Sequence, residues 1–257
     1  MMKPPPPEIP TTSIRSGRSK LATIRVPLAV LVLVVILATA AVISRTGTSS
    51  GQTPSSKPAE SAPSASPTQT PFPDQARRKP GDPYAQGRVD APVVMVMWSE
   101  FQCPFCGRFA RDTEPTLVKQ FVDTGILRIE WRDFPYLGPD STTAAIAGRA
   151  AAAQNKFWAF HDAVYATQHR VNQGDLDAAH LRIDAMKAKL DMSRYDADMQ
   201  AKRGAAQVQA DFSAGIALGI TGTPAFLING NPLLGAQPTQ VFVSMIERAA
   251  ASAKTRP

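Results

Sequence analysis

"VVMVMWSEFQCPFCGRF" occupies residues 93–109. Its first six residues form a nearly continuous apolar run, the pattern of a strand buried on both faces. Its last seven open on Cys103 and Cys106, the two cysteines of the chain, with Pro104 and Phe105 between them. Proline is well placed in the first turn of a helix, where its missing N–H has no partner to lose. The stretch therefore reads as a buried strand, a short loop and a helix that begins at Cys103. Three uses of such a pair compete. Zinc wants four ligands, and His161, His169 and His180 are not at finger spacing. A structural disulfide across so short a loop removes little unfolded-state entropy. Redox use explains more. Backbone N–H groups and the helix dipole stabilise a thiolate at Cys103. Cys106, one helical turn later and more buried, can reach back to it, which gives an exposed attacking thiol and a shielded resolving thiol.

Outward from this stretch the chain continues as strands separated by helices, the signature of an α/β layer. "ILRIEWR" (126–132) alternates as a second strand would, and "AFLI" (225–228) followed by Asn229-Gly230 and "PLLG" (232–235) reads as a hairpin. "TQVFVSMIERAAASA" (239–253) reads as a closing helix. The alanine-rich block between, at about 140–218, has helical character and reads as an inserted helical subdomain. Trp158, Phe160 and His161 have the spacing of helix packing.

The 257 residues are not uniform. Residues 26–43, "VPLAVLVLVVILATAAVI", carry no charge. As a helix 18 residues rise ~27 Å, close to the ~30 Å of a bilayer core. Arg15, Arg18, Lys20 and Arg25 precede the run, so the N-terminus is expected to stay cytoplasmic and the rest to lie outside. Ala38-Thr39-Ala40 offers the competing reading, a cleaved signal peptide and a secreted protein. Residues 44–83 are rich in Ser, Thr and Pro and read as a disordered linker that holds the domain off the membrane. The expected organisation is a basic cytoplasmic tail (1–25), a signal-anchor helix (26–43), that linker, and a folded domain over 84–257. The net charge of +7 is concentrated in residues 1–45, so it reads as a topology signal and not as a nucleic-acid face.

"SEFQCPFCGRF" (99–109), "WRDFP" (131–135), "KFWAFHDAVY" (156–165) and "GITGTPAFLINGNPLLGAQP" (219–238), taken in this order, resemble the DsbA-like branch of the thioredoxin superfamily. The resemblance covers residues 84–257. It implies a thioredoxin fold with a helical insertion and thiol–disulfide exchange outside the cytoplasm through Cys103 and Cys106, with the disulfide itself as the redox group and neither metal nor cofactor. It implies further that Thr223-Pro224 forms the cis-proline loop and that Thr223 pairs with substrate like an added strand. Pro104 and Phe105 support the site. Phe105 replaces the histidine of the strongest oxidants, so thiolate stabilisation is expected to be weaker than theirs. Family members often carry a buried glutamate six residues before the first cysteine; here that position is Met97, and Glu100 is the acid nearest the pair in sequence, expected either to shuttle protons to Cys106 or to be a solvated carboxylate. The expected activity is a disulfide donor to reduced exported proteins, reoxidised by a quinone-linked membrane oxidase and monomeric. A reductase or isomerase, and a non-catalytic peptide-binding chaperone module, are the alternatives.

Overall fold

The computed structural model describes residues 72–254. The expected tail, membrane helix and linker up to residue 71 lie outside the described residues. Among the described residues, no helix is long and apolar enough to cross a membrane.

Five strands form one mixed sheet: β1 (Ala85–Gln86), β2 (Val93–Ser99), β3 (Leu127–Asp133), β4 (Ala225–Ile228) and β5 (Asn231–Leu234), in the order β1-β3-β2-β4-β5. β2 runs parallel to β3, with Val93 opposite Leu127 and Ser99 opposite Asp133, and antiparallel to β4. As the central strand it is buried along its whole length. Its alternation sends Val93, Met95 and Met97 into one apolar layer and Val94, Val96 and Trp98 into the other. The Asn229-Gly230 turn takes positive φ at both residues, 46° and 83°, as a tight hairpin requires. The Asn229 side chain also accepts the Val94 N–H, which ties the turn to β2.

The helical path after Cys103 is interrupted. α1 (Pro104–Arg108) and α2 (Glu114–Leu117) are joined by a π-type turn at Phe109–Thr113, in which the Glu114 N–H reaches back to the Phe109 carbonyl. Pro115 lies just beyond. Its ring crowds the carbonyl of the preceding turn and it donates no hydrogen bond, so a widened turn absorbs the misfit. Five helices then separate β3 from β4: α3 (Pro139–Ala152), α4 (Phe157–Tyr165), α5 (Ala178–Lys187), α6 (Met192–Gln200) and α7 (Ala205–Ala217). Asp177 and Asp191 cap α5 and α6 by accepting backbone N–H groups. α8 (Thr239–Lys254) closes the chain, packing Phe242 against Phe109 and Phe226 at ring separations of 5.2 and 4.9 Å. On the opposite face of the sheet α7 comes so close that a Cβ on Gly215 would sit 2.7 Å from the Phe134 ring.

The folded unit begins earlier than the expected boundary at residue 84. Phe72 donates its N–H to the Gly230 carbonyl, and Arg77 and Arg78 donate theirs to the Glu130 carboxylate at 2.8 and 2.9 Å. Residues 72–83 thus form a strap over the polar face of β3. Arg128, Glu130 and Arg132 alternate with the apolar residues of that strand, yet all are buried, because the strap covers them and Glu130 pairs with both arginines. A polar, proline-containing segment satisfies its backbone on buried charges, which its composition does not reveal.

Candidate active site

Cys103 occupies the N-cap of α1 in extended conformation, Pro104 is the first helical residue, and the Gly107 N–H closes on the Cys103 carbonyl at 3.0 Å. Both cysteines are free thiols. Cys103 was expected to be exposed, but the residue is only 2% accessible, because its thiol turns inward and donates to the Thr223 carbonyl at 3.3 Å. The Thr223–Pro224 peptide bond is cis, and the loop is held from the other side by the Gly235 N–H on the Pro224 carbonyl at 2.8 Å.

The two sulfurs have opposite acidities. The Cys103 thiol falls to about 6, chiefly through the hydrogen bond from the Cys106 thiol; burial opposes the fall, and the Thr223 hydroxyl and the N–H groups of Cys106 and Phe105 assist it. Burial drives Cys106 far upward, and its bond to Cys103 and the charge there push it further. The Ser99 and Thr223 hydroxyls oppose that rise. A thiolate at Cys103 beside a protonated thiol at Cys106 is therefore the reduced state near neutral pH.

Glu100 is not a solvated carboxylate. It is 2% accessible, and burial raises its carboxyl to about 8, with the Cys103 charge adding to the shift and Ser141 and the Leu137 backbone working against it. Neither carboxyl oxygen makes a hydrogen bond of full geometry, so those two contacts soften the burial cost without removing it. At neutral pH the group keeps its proton, and the sulfur whose charge it feels is that of Cys103. Met97 lies in the sheet interior between Trp131 and Phe226. The Phe105 ring is 51% accessible and carries the Arg108 guanidinium over its face at 5.3 Å.

Beside the cis-proline loop runs a mostly apolar groove of about 510 Å³, lined by Phe72, Trp98, Phe105, Tyr136, Thr223 and Leu234 among others. Two neighbours of the cysteines escaped the sequence reading. Ser99 ends β2 on the same side as Met97, facing Cys106, and Tyr165 reaches it from α4. Strand alternation from Met95 and Met97 is the signal for Ser99, and the helical spacing of His161 and Tyr165 is the signal for the other. His161 itself is buried against the rings of Phe101, Trp131, Phe157, Trp158 and Tyr165, with Glu114 at 3.6 Å, so it packs the helix as its spacing implied.

Residues 79–248 match the family model described as thioredoxin. The chain belongs to the thioredoxin family. Within it the chain falls in the DsbA-like branch of thiol:disulfide oxidoreductases. It is 31% identical over 150 residues to the probable disulfide bond formation protein D of Bacillus cereus, covering 56% of this chain and 69% of that one. It is also 33% identical over 183 residues to the Na(+)/H(+) antiporter NhaA 3 of Salinispora tropica, but spans only 27% of that protein's length, so the antiporter's name describes that protein and not this chain. In fold it is similar to oxidised BdbD from Bacillus subtilis, with a TM-score of 0.62 and 24% identity over 66% of this chain and 94% of that one. The thioredoxin-like oxidoreductase of Silicibacter pomeroyi follows with a TM-score of 0.57 and 26% identity, covering 67% of this chain and 94% of that one.

Proposed function

We propose that this chain is a membrane-tethered, extracytoplasmic thiol:disulfide oxidoreductase that donates the Cys103–Cys106 disulfide to exported proteins. The observation that carries this reading is the split acidity of the two thiols at the head of α1, about 6 for Cys103 and far above the usual cysteine value for Cys106. In the oxidised protein a substrate thiolate attacks Cys103 Sγ. The Cys103–Cys106 bond breaks, its electron pair goes to Cys106, and a mixed disulfide forms. A second substrate thiolate then attacks the substrate sulfur and expels Cys103 as the thiolate its environment favours. The substrate leaves with a disulfide and the protein with a dithiol. A quinone-linked membrane oxidase then takes the two electrons.

The substrate segment is assigned to the groove, with the Thr223 backbone pairing to it and the apolar walls taking its side chains. Glu100, protonated at neutral pH, supplies or takes a proton near Cys103. The apolar run at 26–43 anchors the chain, which acts as a monomer. In the test, Cys106→Ala is expected to accumulate mixed disulfides with exported proteins, because no internal thiol remains to resolve them. Adding Thr223→Arg is expected to lower the trapped amount several-fold by crowding the groove. A Cys106→Ala protein that traps nothing overturns the reading, as does a reduction potential at or below the ~−270 mV of thioredoxin. Retention of peptide binding when both cysteines are serine, with no exchange in the parent, would mark a chaperone module instead.

A further inference from the structure

Cys106 becomes a thiolate when substrate attacks Cys103, and it does so in the most buried corner of the site. An ion left unpaired there is costly unless a donor meets it. Backbone donors at the head of α1 point at Cys103, the other sulfur. Two hydroxyls are near Cys106: Ser99, and Thr223, whose oxygen makes no hydrogen bond of full geometry.

The hydrogen-bond arrangement around Ser99 fixes where its proton is. Tyr165 Oη lies 2.7 Å from the Glu100 carbonyl, which has no proton to give, so the phenol must donate there. A phenol has one proton. In the 3.3 Å contact between Ser99 Oγ and Tyr165 Oη the donor is therefore Ser99. In the dithiol state the Ser99 proton is parked on Tyr165. Rotation of the hydroxyl about the Ser99 Cβ–Oγ bond re-aims the proton from Tyr165 toward Cys106.

We propose that Ser99 is the switchable hydrogen-bond donor for the departing Cys106 thiolate, held in reserve on the hydroxyl of Tyr165. This rests on the oxidoreductase reading and deepens it. As the Cys103–Cys106 bond breaks and its electron pair passes to Cys106 Sγ, the Ser99 hydroxyl turns from Tyr165 to that sulfur. It turns back when Cys106 gains a proton or re-forms the disulfide. The bond exists only while Cys106 is charged, in the mixed disulfide and the transition states on either side of it. Ser99 therefore changes rates and leaves the equilibrium between disulfide and dithiol where it was. The titratable groups around the two sulfurs are Glu100 beyond β2, Tyr136 beyond β3 and Tyr165 on α4, and none of them is removed by changing Ser99.

The experiment compares full-length wild type, Ser99→Ala and Tyr165→Phe. The rate at which dithiothreitol reduces the oxidised protein is followed by tryptophan fluorescence, beside the reduction potential against glutathione and the pH profile of Cys103 alkylation. Ser99→Ala is expected to be reduced about tenfold more slowly, the size of one lost bond to a charged group, with the potential and the Cys103 profile unchanged. Tyr165→Phe removes the parking place and is expected to react at least as fast as wild type. Equal rates for wild type and Ser99→Ala overturn the proposal, as does a slowed Ser99→Ala whose potential or Cys103 profile moves with it, the mark of a structural disturbance. A Tyr165→Phe slowed as much as Ser99→Ala also overturns it. If wild type itself fails to exchange with glutathione, the oxidoreductase reading has failed and not this refinement.

Discussion

Replacing Glu100 by glutamine tests whether a neutral carboxylic acid sits beside the reactive thiol. Its carboxyl titrates at 4.5 when free and at about 8 in the folded, reduced protein, mainly because it is buried. Between those values the unfolded chain has lost the proton and the folded one has kept it. The unfolded state then binds fewer protons, so stability falls as pH rises through this window, levelling off above pH 8. Each pH unit inside the window removes ~1.4 kcal/mol, so raising the pH from about 5 to about 7.5 removes about 3 kcal/mol on account of Glu100 alone. For a unit of this size that is a shift of about 6–12 °C in Tm. Glu114, raised by burial to about 7, has the same sign, but it is present in both proteins and drops out of the comparison. Urea unfolding of reduced wild type and Glu100→Gln at the two pH values gives the quantity directly. The wild type is expected to lose about 3 kcal/mol more than the variant between them. Equal losses would mean that Glu100 ionises freely in the folded state, and the neutral-acid argument would fall.

Two further outcomes follow from the same charges. In a brief iodoacetamide pulse across pH, labelling of Cys103 is expected to rise with a midpoint near 6 and to precede any labelling of Cys106; a midpoint near 9, or Cys106 labelled first, contradicts the assigned acidities. Arg149 bonds Asp133 at 2.6 Å and Asp211 at 2.5 Å and lies 4.2 Å over the Tyr84 ring, so Arg149→Met is expected to cost about 3–5 kcal/mol in urea unfolding by leaving the buried Asp133 without a cation, while Asp211 keeps Arg77, and a loss below about 1 kcal/mol would refute that pairing.

What was legible in the sequence was local. The run at 93–98 shows β2 because both its faces are apolar, and Asn229-Gly230 shows the hairpin because few other residues accept two successive positive φ values. Cys103, Pro104 and Cys106 are three neighbours whose order already implies a helix start. What was hidden depends on distant partners. The strap at 72–83 is held by Glu130, more than fifty residues away, and its own mix of prolines, a glycine and charged residues resembles a linker. Burial of Glu100 needs the loop after β3 and the first turn of α3 to close over it. Ser99 and Tyr165 meet across 66 residues, so neither shows a role until the helical block is folded on the sheet.

The surroundings of Cys103 also bound how strong an oxidant the pair can be. At neutral pH no anion faces the thiolate: Met97 is apolar, Phe105 is neutral and Glu100 carries its proton. The stabilisation comes from hydrogen-bond donors, which take Cys103 from 9.0 to about 6. At pH 7 an unperturbed thiol would be protonated anyway, so only the final unit of that shift, from 7 down to 6, favours the dithiol over the disulfide. That unit is ~1.4 kcal/mol, or ~30 mV for a two-electron couple. Thioredoxin, with its thiol near ~7, sits at ~−270 mV, and DsbA, with its thiol near ~3.5, at ~−120 mV. A thiol near 6 belongs nearer the first than the second. A couple so placed is a weak driver on its own, and its direction follows from which partner refills it. The oxidising role therefore requires a reoxidant that keeps the Cys103–Cys106 bond closed between turnovers.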